Sequence, residues 1–108
     1  MKTCELTGAA LDWAVCKCFP NASGMMRQII ARPQSYIAQY STNWSQGGPI
    51  IEREVISVTH ERPDGWLAET DPDHNDQSET GPTPLIAAMR CYVASKLGEE
   101  VEIPEELK

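Results

Sequence analysis

Residues 83–98 read Thr83-Pro-Leu-Ile-Ala-Ala-Met-Arg-Cys-Tyr-Val-Ala-Ser-Lys-Leu-Gly98, and every local signal in them agrees on one helix over about 84–97. Thr83 is a good N-cap, and Pro84 takes the first helical position, where its missing N–H costs nothing. Lys96 falls in the last turn, where a cation complements the helix dipole. Gly98 stands where a helix-ending glycine belongs. Leu85, Ala88, Met89, Tyr92 and Val93 form one apolar face. Ile86, Arg90, Ala94 and Leu97 form a second, interrupted by Arg90. A helix apolar on both sides is either central in the fold or at a subunit interface, so a homo-oligomer is expected. An arginine on such a face calls for a carboxylate or phosphate partner.

Upstream, residues 7–18 also read as a helix. Thr7 is its candidate N-cap, and Leu11, Ala14, Val15 and Cys18 recur at helical spacing. Trp13 lies off that stripe, placed to meet a second element or a partner chain. Residues 20–24, Pro20-Asn-Ala-Ser-Gly24, end the helix with turn formers. Residues 25–31 read as a short strand. Residues 36–49 read as a long loop rich in hydroxyls, amides and aromatics, a composition suited to stacking on a ligand and reading its polar edges. Residues 50–60 (Ile50, Ile51, Val55, Ile56, Val58) and 66–70 read as the two arms of a β-hairpin turning at Pro63-Asp-Gly65. The expected fold is α+β: a small antiparallel sheet packed with an N-terminal helix and a C-terminal helix. At 108 residues the chain is expected to be one domain, 1–108, with a polar acidic loop at about 71–81 and an acidic tail at 99–108.

The net charge is −7, which disfavours long nucleic acids as partners. The acids are unevenly placed, however. Residues 61–79 and 99–108 hold 12 of the 16, and the remainder carries four acids against seven bases. A small anionic ligand is therefore compatible with Arg27, Arg32, Arg53 or Arg90, while the acidic segments repel polyanions. No apolar run approaches the roughly 20 residues that cross a bilayer, so no membrane partner is expected. Met1-Lys-Thr-Cys-Glu5 has no apolar signal core, which points to the cytosol.

Four cysteines (Cys4, Cys16, Cys18, Cys91) are expected as free thiols in that compartment. Cys16 and Cys18 lie on different sides of one helix and do not chelate a shared zinc. Asp71, Asp73 and Asn75 imitate the opening of a calcium loop, but Asp76 stands where glycine is needed and Pro82 where glutamate is needed. No metal centre and no cofactor is expected. The sequence carries no nucleophile elbow, no phosphate-binding loop with its lysine, no H-E-x-x-H and no G-x-G-x-x-G, so no enzymatic activity is expected.

Three stretches carry a resemblance. Leu6-Thr-Gly-Ala-Ala-Leu-Asp-Trp-Ala-Val15, Tyr40-Ser-Thr-Asn-Trp-Ser-Gln-Gly-Gly-Pro-Ile-Ile-Glu-Arg53 and the segment from Gly81 to Gly98 resemble, in that order, the NinX family of tailed-phage proteins. The resemblance implies an accessory phage product made in the host bacterial cytoplasm. The layout is also similar to phage sponge proteins that block Thoeris defence. That second resemblance implies an α+β oligomer that binds cyclic ADP-ribose-type or cyclic oligonucleotide signals without cleaving them.

On this reading the expected partner is a small cyclic nucleotide-type ligand. Trp44 or Trp66 would stack on its base, Arg90 and Arg53 would pair with phosphates, and Gln46 and Asn43 would read a base edge or ribose hydroxyl. Thr83, at a helix start, would complete an anion site. Each has a plainer alternative: Trp66 as a packing strand residue, Trp44 as a pin for its own loop, Thr83 as a cap alone, Arg90 as half of an ion pair. The competing functional reading is an acidic protein-binding module in which 61–79 mimics phosphates, or a structural phage accessory protein.

Overall fold

The computed structural model describes residues 1–18, 39–61, 65–70 and 77–103. Among these the chain forms a 3-10 turn (Thr3–Glu5), helix α1 (Gly8–Lys17), helix α2 (Trp44–Arg53), strands β1 (Ser57–Glu61), β2 (Gly65–Glu69) and β3 (Ser78–Gly81), and helix α3 (Pro84–Leu97). The fold is α+β. The strands form one antiparallel sheet in the order β1-β2-β3, with Val58 opposite Ala68 and Ala68 opposite Glu79. The expected strand at 25–31, the turn at 20–24, Arg27 and Arg32, most of the hairpin turn and the calcium-like stretch at 71–76 lie outside the described residues.

The C-terminal helix forms where the sequence places it, over Pro84–Leu97. The Thr83 hydroxyl accepts from Ile86 N, and Gly98 ends the helix with φ of +90°. It is the hub of the fold, touching all three strands, both other helices and the 3-10 turn. Residues 87–94 are buried without a break. Both apolar faces are covered by the chain's own elements, so the burial of this helix needs no second subunit. Trp13, off the apolar stripe of α1, is buried in the same core.

Two expectations are corrected. Residues 44–49 are not loop but the first part of α2, and the segment from Ile50 to Arg53 completes that helix instead of opening a strand. Gly47, Gly48 and Pro49 oppose a helix on intrinsic preference, by about 1 kcal/mol per glycine and about 3 for proline. Tertiary contact overrides that preference. A Cβ on Gly47 would collide with the Tyr40 carbonyl oxygen and come within 2.6 Å of Leu85 Cδ1, so only glycine lets α2 approach α3 this closely. The end of the expected acidic loop is likewise a strand, β3. Its Ser-Glu-Thr-Gly sequence lacks apolar alternation and is held by pairing to β2 and by contact with α3.

The beginning of the acidic tail is also part of the core. Val101 and Ile103 are buried in it. The chain's two ends are laced together there: Thr3 N donates to Glu99 O at 2.8 Å, Val101 N to Met1 O at 2.9 Å, and the Thr3 hydroxyl to Gly98 O at 2.7 Å.

Candidate functional site

Helices α2 and α3 both begin at one edge of the molecule, and a cavity of about 220 Å³ opens between their starts. Ser41, Thr42 and Trp44 line it from the α2 side, and the stretch Thr83, Pro84, Leu85 and Ile86 lines it from the α3 side. Trp44 is 56% exposed, so much of its ring is open to solvent. Among the described residues that line it, none has an ionisable side chain.

The local sequence explains the geometry. Asn43 caps α2: its side-chain oxygen accepts from Ser45 N at 2.9 Å and from the Ser45 hydroxyl at 2.6 Å. Gln46 reaches back, its Oε1 accepting from Gln39 N at 2.8 Å. Thr83 caps α3, accepting from Ile86 N at 3.1 Å. Gln46 N and Gly47 N close on Asn43 O, and Ala87 N closes on Thr83 O. Pro84 has no N–H to offer. Among the described residues, the first-turn N–H groups left over are those of Trp44 and Leu85.

Behind the α2 wall lies a buried carboxylate. Asp12, on α1, is 5% exposed, and its Oδ1 accepts from Ser41 N at 2.8 Å. Burial pushes the Asp12 pKa up from 3.8, while its contacts with the Ser41 hydroxyl and N–H oppose that rise. The Ser41 hydroxyl is buried beside the Asp12 carboxylate, and its contact favours the charged form.

Of the seven residues singled out in the sequence, the fold brings Trp44 and Thr83 together in this cavity. Asn43 and Gln46 adjoin it, but their carbonyl oxygens are engaged in bracing the start of α2. The other three stand elsewhere. Arg90 is 9% exposed, and among the described residues no carboxylate lies at hydrogen-bond distance from it. Instead its Nε donates to Leu6 O at 2.8 Å and its Nη1 to Thr80 O at 2.9 Å, tying the N-terminal segment and β3 to α3. Glu79 is near enough to feel its charge.

Arg53 pairs with Glu54 at 3.0 Å and donates to the Tyr92 hydroxyl at 3.3 Å. Lys96 meets the other Glu54 oxygen at 3.3 Å. Trp66 packs on the core from β2, with the His60 ring 5.0 Å away. Sequence reasoning gave no role to Pro84, Leu85 and Ile86 in a site. The available signal was the pairing of two capped helix starts, which becomes visible only once 44–53 is recognised as helical.

No helix of the described residues is long and apolar enough to cross a membrane. No curated protein matches the chain significantly. The profile of the family described as Bacteriophage P22, NinX matches residues 2–96, which take in the 3-10 turn, the sheet, α1, α2 and nearly all of α3. On that coverage, and in keeping with the three stretches that resemble it, the chain belongs to the NinX family of bacteriophage proteins.

Proposed function

We propose that the protein binds a cyclic nucleotide-type immune signal, a cyclic ADP-ribose isomer or a cyclic oligonucleotide. It holds the signal without cleaving it, in the cytoplasm of the infected bacterium, and so blunts anti-phage defence. One observation carries the reading: Trp44 and Thr83, chosen for stacking and for anion capture, share a cavity where two helix starts converge. A base stacked on an exposed aromatic gains about 1–3 kcal/mol, whatever its identity. A helix start favours an anion beside it. Among the described residues the lining combines hydroxyl and apolar side chains with no ionisable group, which suits holding a ligand more than breaking one of its bonds.

The cavity is smaller than the roughly 300–1,000 Å³ of sites that enclose a drug-sized ligand. It therefore takes one part of a cyclic signal, and a second copy of the chain covering the open side would complete the site. The proposal thus keeps the homo-oligomer, for the sake of the ligand and not of α3.

Thermal unfolding with cyclic ADP-ribose isomers, cyclic di- and trinucleotides, ADP-ribose and NAD tests it. A ligand at 100 times its dissociation constant adds about 2.7 kcal/mol, and each kcal/mol moves the midpoint by roughly 4–8 °C in a domain of this size. The expected result is a clear shift with one cyclic ligand, recovered unaltered, and its loss in Trp44→Ala but not in Trp66→Ala. A flat panel overturns the reading in favour of the acidic protein-binding module, whose activity neutralisation of Asp71, Asp73 and Asp76 would abolish.

A further inference from the structure

The two edges of the sheet differ in how they are closed. Thr70 N donates to Gln77 O at 2.9 Å, a hydrogen-bonded pair one step beyond the β2–β3 register. Hydrogen-bonded and non-hydrogen-bonded pairs alternate along an antiparallel ladder. The main-chain groups of Trp66 and Ala68 therefore face β3, and those of Gly65, Leu67 and Glu69 face β1. On β1 the groups of Ser57, Thr59 and Glu61 accordingly turn to β2, and those of Val58 and His60 turn outward. On β3 the outward residues are Ser78 and Thr80. The Thr80 carbonyl is the one that Arg90 holds at 2.9 Å, so a charged side chain closes that edge. The 3-10 turn packs against β3 as well.

At the opposite edge, Ser57, Thr59, His60 and Glu61 are exposed. Among the described residues none is hydrogen-bonded to the outward groups of Val58 and His60. The strand carries no lysine and no proline, and its register to β2 runs without a bulge, so it lacks the usual guards of a sheet edge. We propose that β1 pairs antiparallel with β1 of a second copy, about a two-fold axis between the two Thr59 residues. Two sheets of three strands then join into one of six. In this register Val58 meets His60 of the second copy, and the reverse, each pair exchanging two main-chain hydrogen bonds. Thr59 lies opposite itself in a non-hydrogen-bonded pair, where side chains approach most closely. Glu61 lies opposite Ser57, so no acid of the strand faces an acid. The strand is thus complementary to itself in hydrogen bonding and in charge, which favours a second copy over a different protein. The pairing needs no ligand and stands apart from the nucleotide reading.

Sedimentation velocity of the ligand-free protein tests it. At physiological salt the −7 charges of two copies are largely screened, while side chains about 5 Å apart still interact. A five-residue strand makes a small interface, so the concentration series runs to about 1 mM. The wild type is expected to pass from monomer to dimer within it. Thr59→Lys sets two like charges against each other across the axis and is expected to weaken the dimer roughly tenfold or more. Thr59→Glu is expected to do the same, and an equimolar mixture of the two variants to associate again. Thr59 is exposed, so both variants are expected to fold, which their melting midpoints check. Amide hydrogen exchange gives a readout that needs no variant. The N–H groups of Val58 and His60 are expected to gain protection as concentration rises, while those of Thr59 and Glu61, turned to β2, are protected throughout. A wild type that stays monomeric across the series overturns the inference. So does a dimer that both variants leave intact, or one lost in both and not restored by mixing. Protection of Val58 and His60 in the monomer would mean that another segment of the chain covers the edge, and overturns it too. The thermal shift with nucleotides is a separate observation, so either reading can fail alone.

Discussion

Arg90 and Asp12 are both charged residues inside the core, and each is there to hold backbone. The Arg90 fork spans from Leu6 O to Thr80 O, so its truncation would strand two carbonyls in the interior, a costly change for any fold. Asp12 holds Ser41 N and thereby fixes the wall of the cavity. Burial raises its folded pKa above 3.8, so the native chain binds the proton more tightly than the unfolded chain. Its contribution to stability therefore falls as pH climbs from about 3.8 through the raised folded value, and is least favourable at neutral pH. Asp12→Asn is expected to be more stable than wild type at pH 7, with the advantage shrinking as pH is lowered toward 4. Urea denaturation midpoints at the two pH values check this. A difference that does not change with pH would mean that Asp12 titrates as an ordinary exposed carboxylate.

At the scale of elements, the end of α2 departs from the usual rule. Ile56 N donates to Ile51 O at 3.0 Å and Val55 N to Glu52 O at 3.4 Å, the two bonds of a Schellman cap. The residue at its left-handed position, normally glycine, is Val55, with φ of +54° and 63% exposure. A left-handed residue with a side chain costs about 1–2 kcal/mol, and glycine returns part of that through the freedom of the unfolded chain, roughly 0.4–1 kcal/mol. Val55→Gly is thus expected to stabilise the protein by about 0.5–1 kcal/mol, read as a rise of a few degrees in melting midpoint. A fall would show that Val55 makes packing contacts worth more than its strain.

The same helix marks the limit of what the sequence discloses. The ends of α3 are legible to the residue, because cap, proline, dipole and glycine signals coincide at Thr83, Pro84, Lys96 and Gly98. The hairpin is legible because β-branched residues flank a strong turn. Helix α2 is illegible because its local preferences point away from helix, and what decides it, the approach of Gly47 to Leu85, spans 38 residues. Strand β3 is hidden for a related reason. A Cβ on Gly81 would sit 2.7 Å from Ala87 N, so the strand is set by its contact with α3 and not by any apolar pattern of its own.

At the scale of the whole molecule, the cysteines report on the integrity of the core. Cys4 is exposed, whereas Cys16, Cys18 and Cys91 are buried. Burial pushes the thiols of Cys16 and Cys91 up to about 11 and that of Cys18 to about 12. Iodoacetamide at pH 8 is therefore expected to modify one thiol quickly and the other three only through opening of the fold, with all four reacting in urea. Mass spectrometry of the time course checks this, and rapid labelling of Cys91 in the native protein would contradict the packing of α3. The candidate site was half legible in the sequence. Trp44 and Thr83 stand out by residue type and by cap position. Arg90 and Arg53 also stand out, but chemistry alone does not separate an arginine that binds a phosphate from one that binds the protein's own carbonyls.

Among the described helices, the hub helix is the last to be made. Until the ribosome has released residues 84–97, α1 and α2 lack the helix they both pack on, and Leu6 has no Arg90 to meet. The nascent chain is thus committed to waiting: the helix at the centre of the core is complete only when residue 97 has emerged. Until that helix emerges, the apolar residues that pack on it stand open to whatever the host supplies to shield unfinished chains.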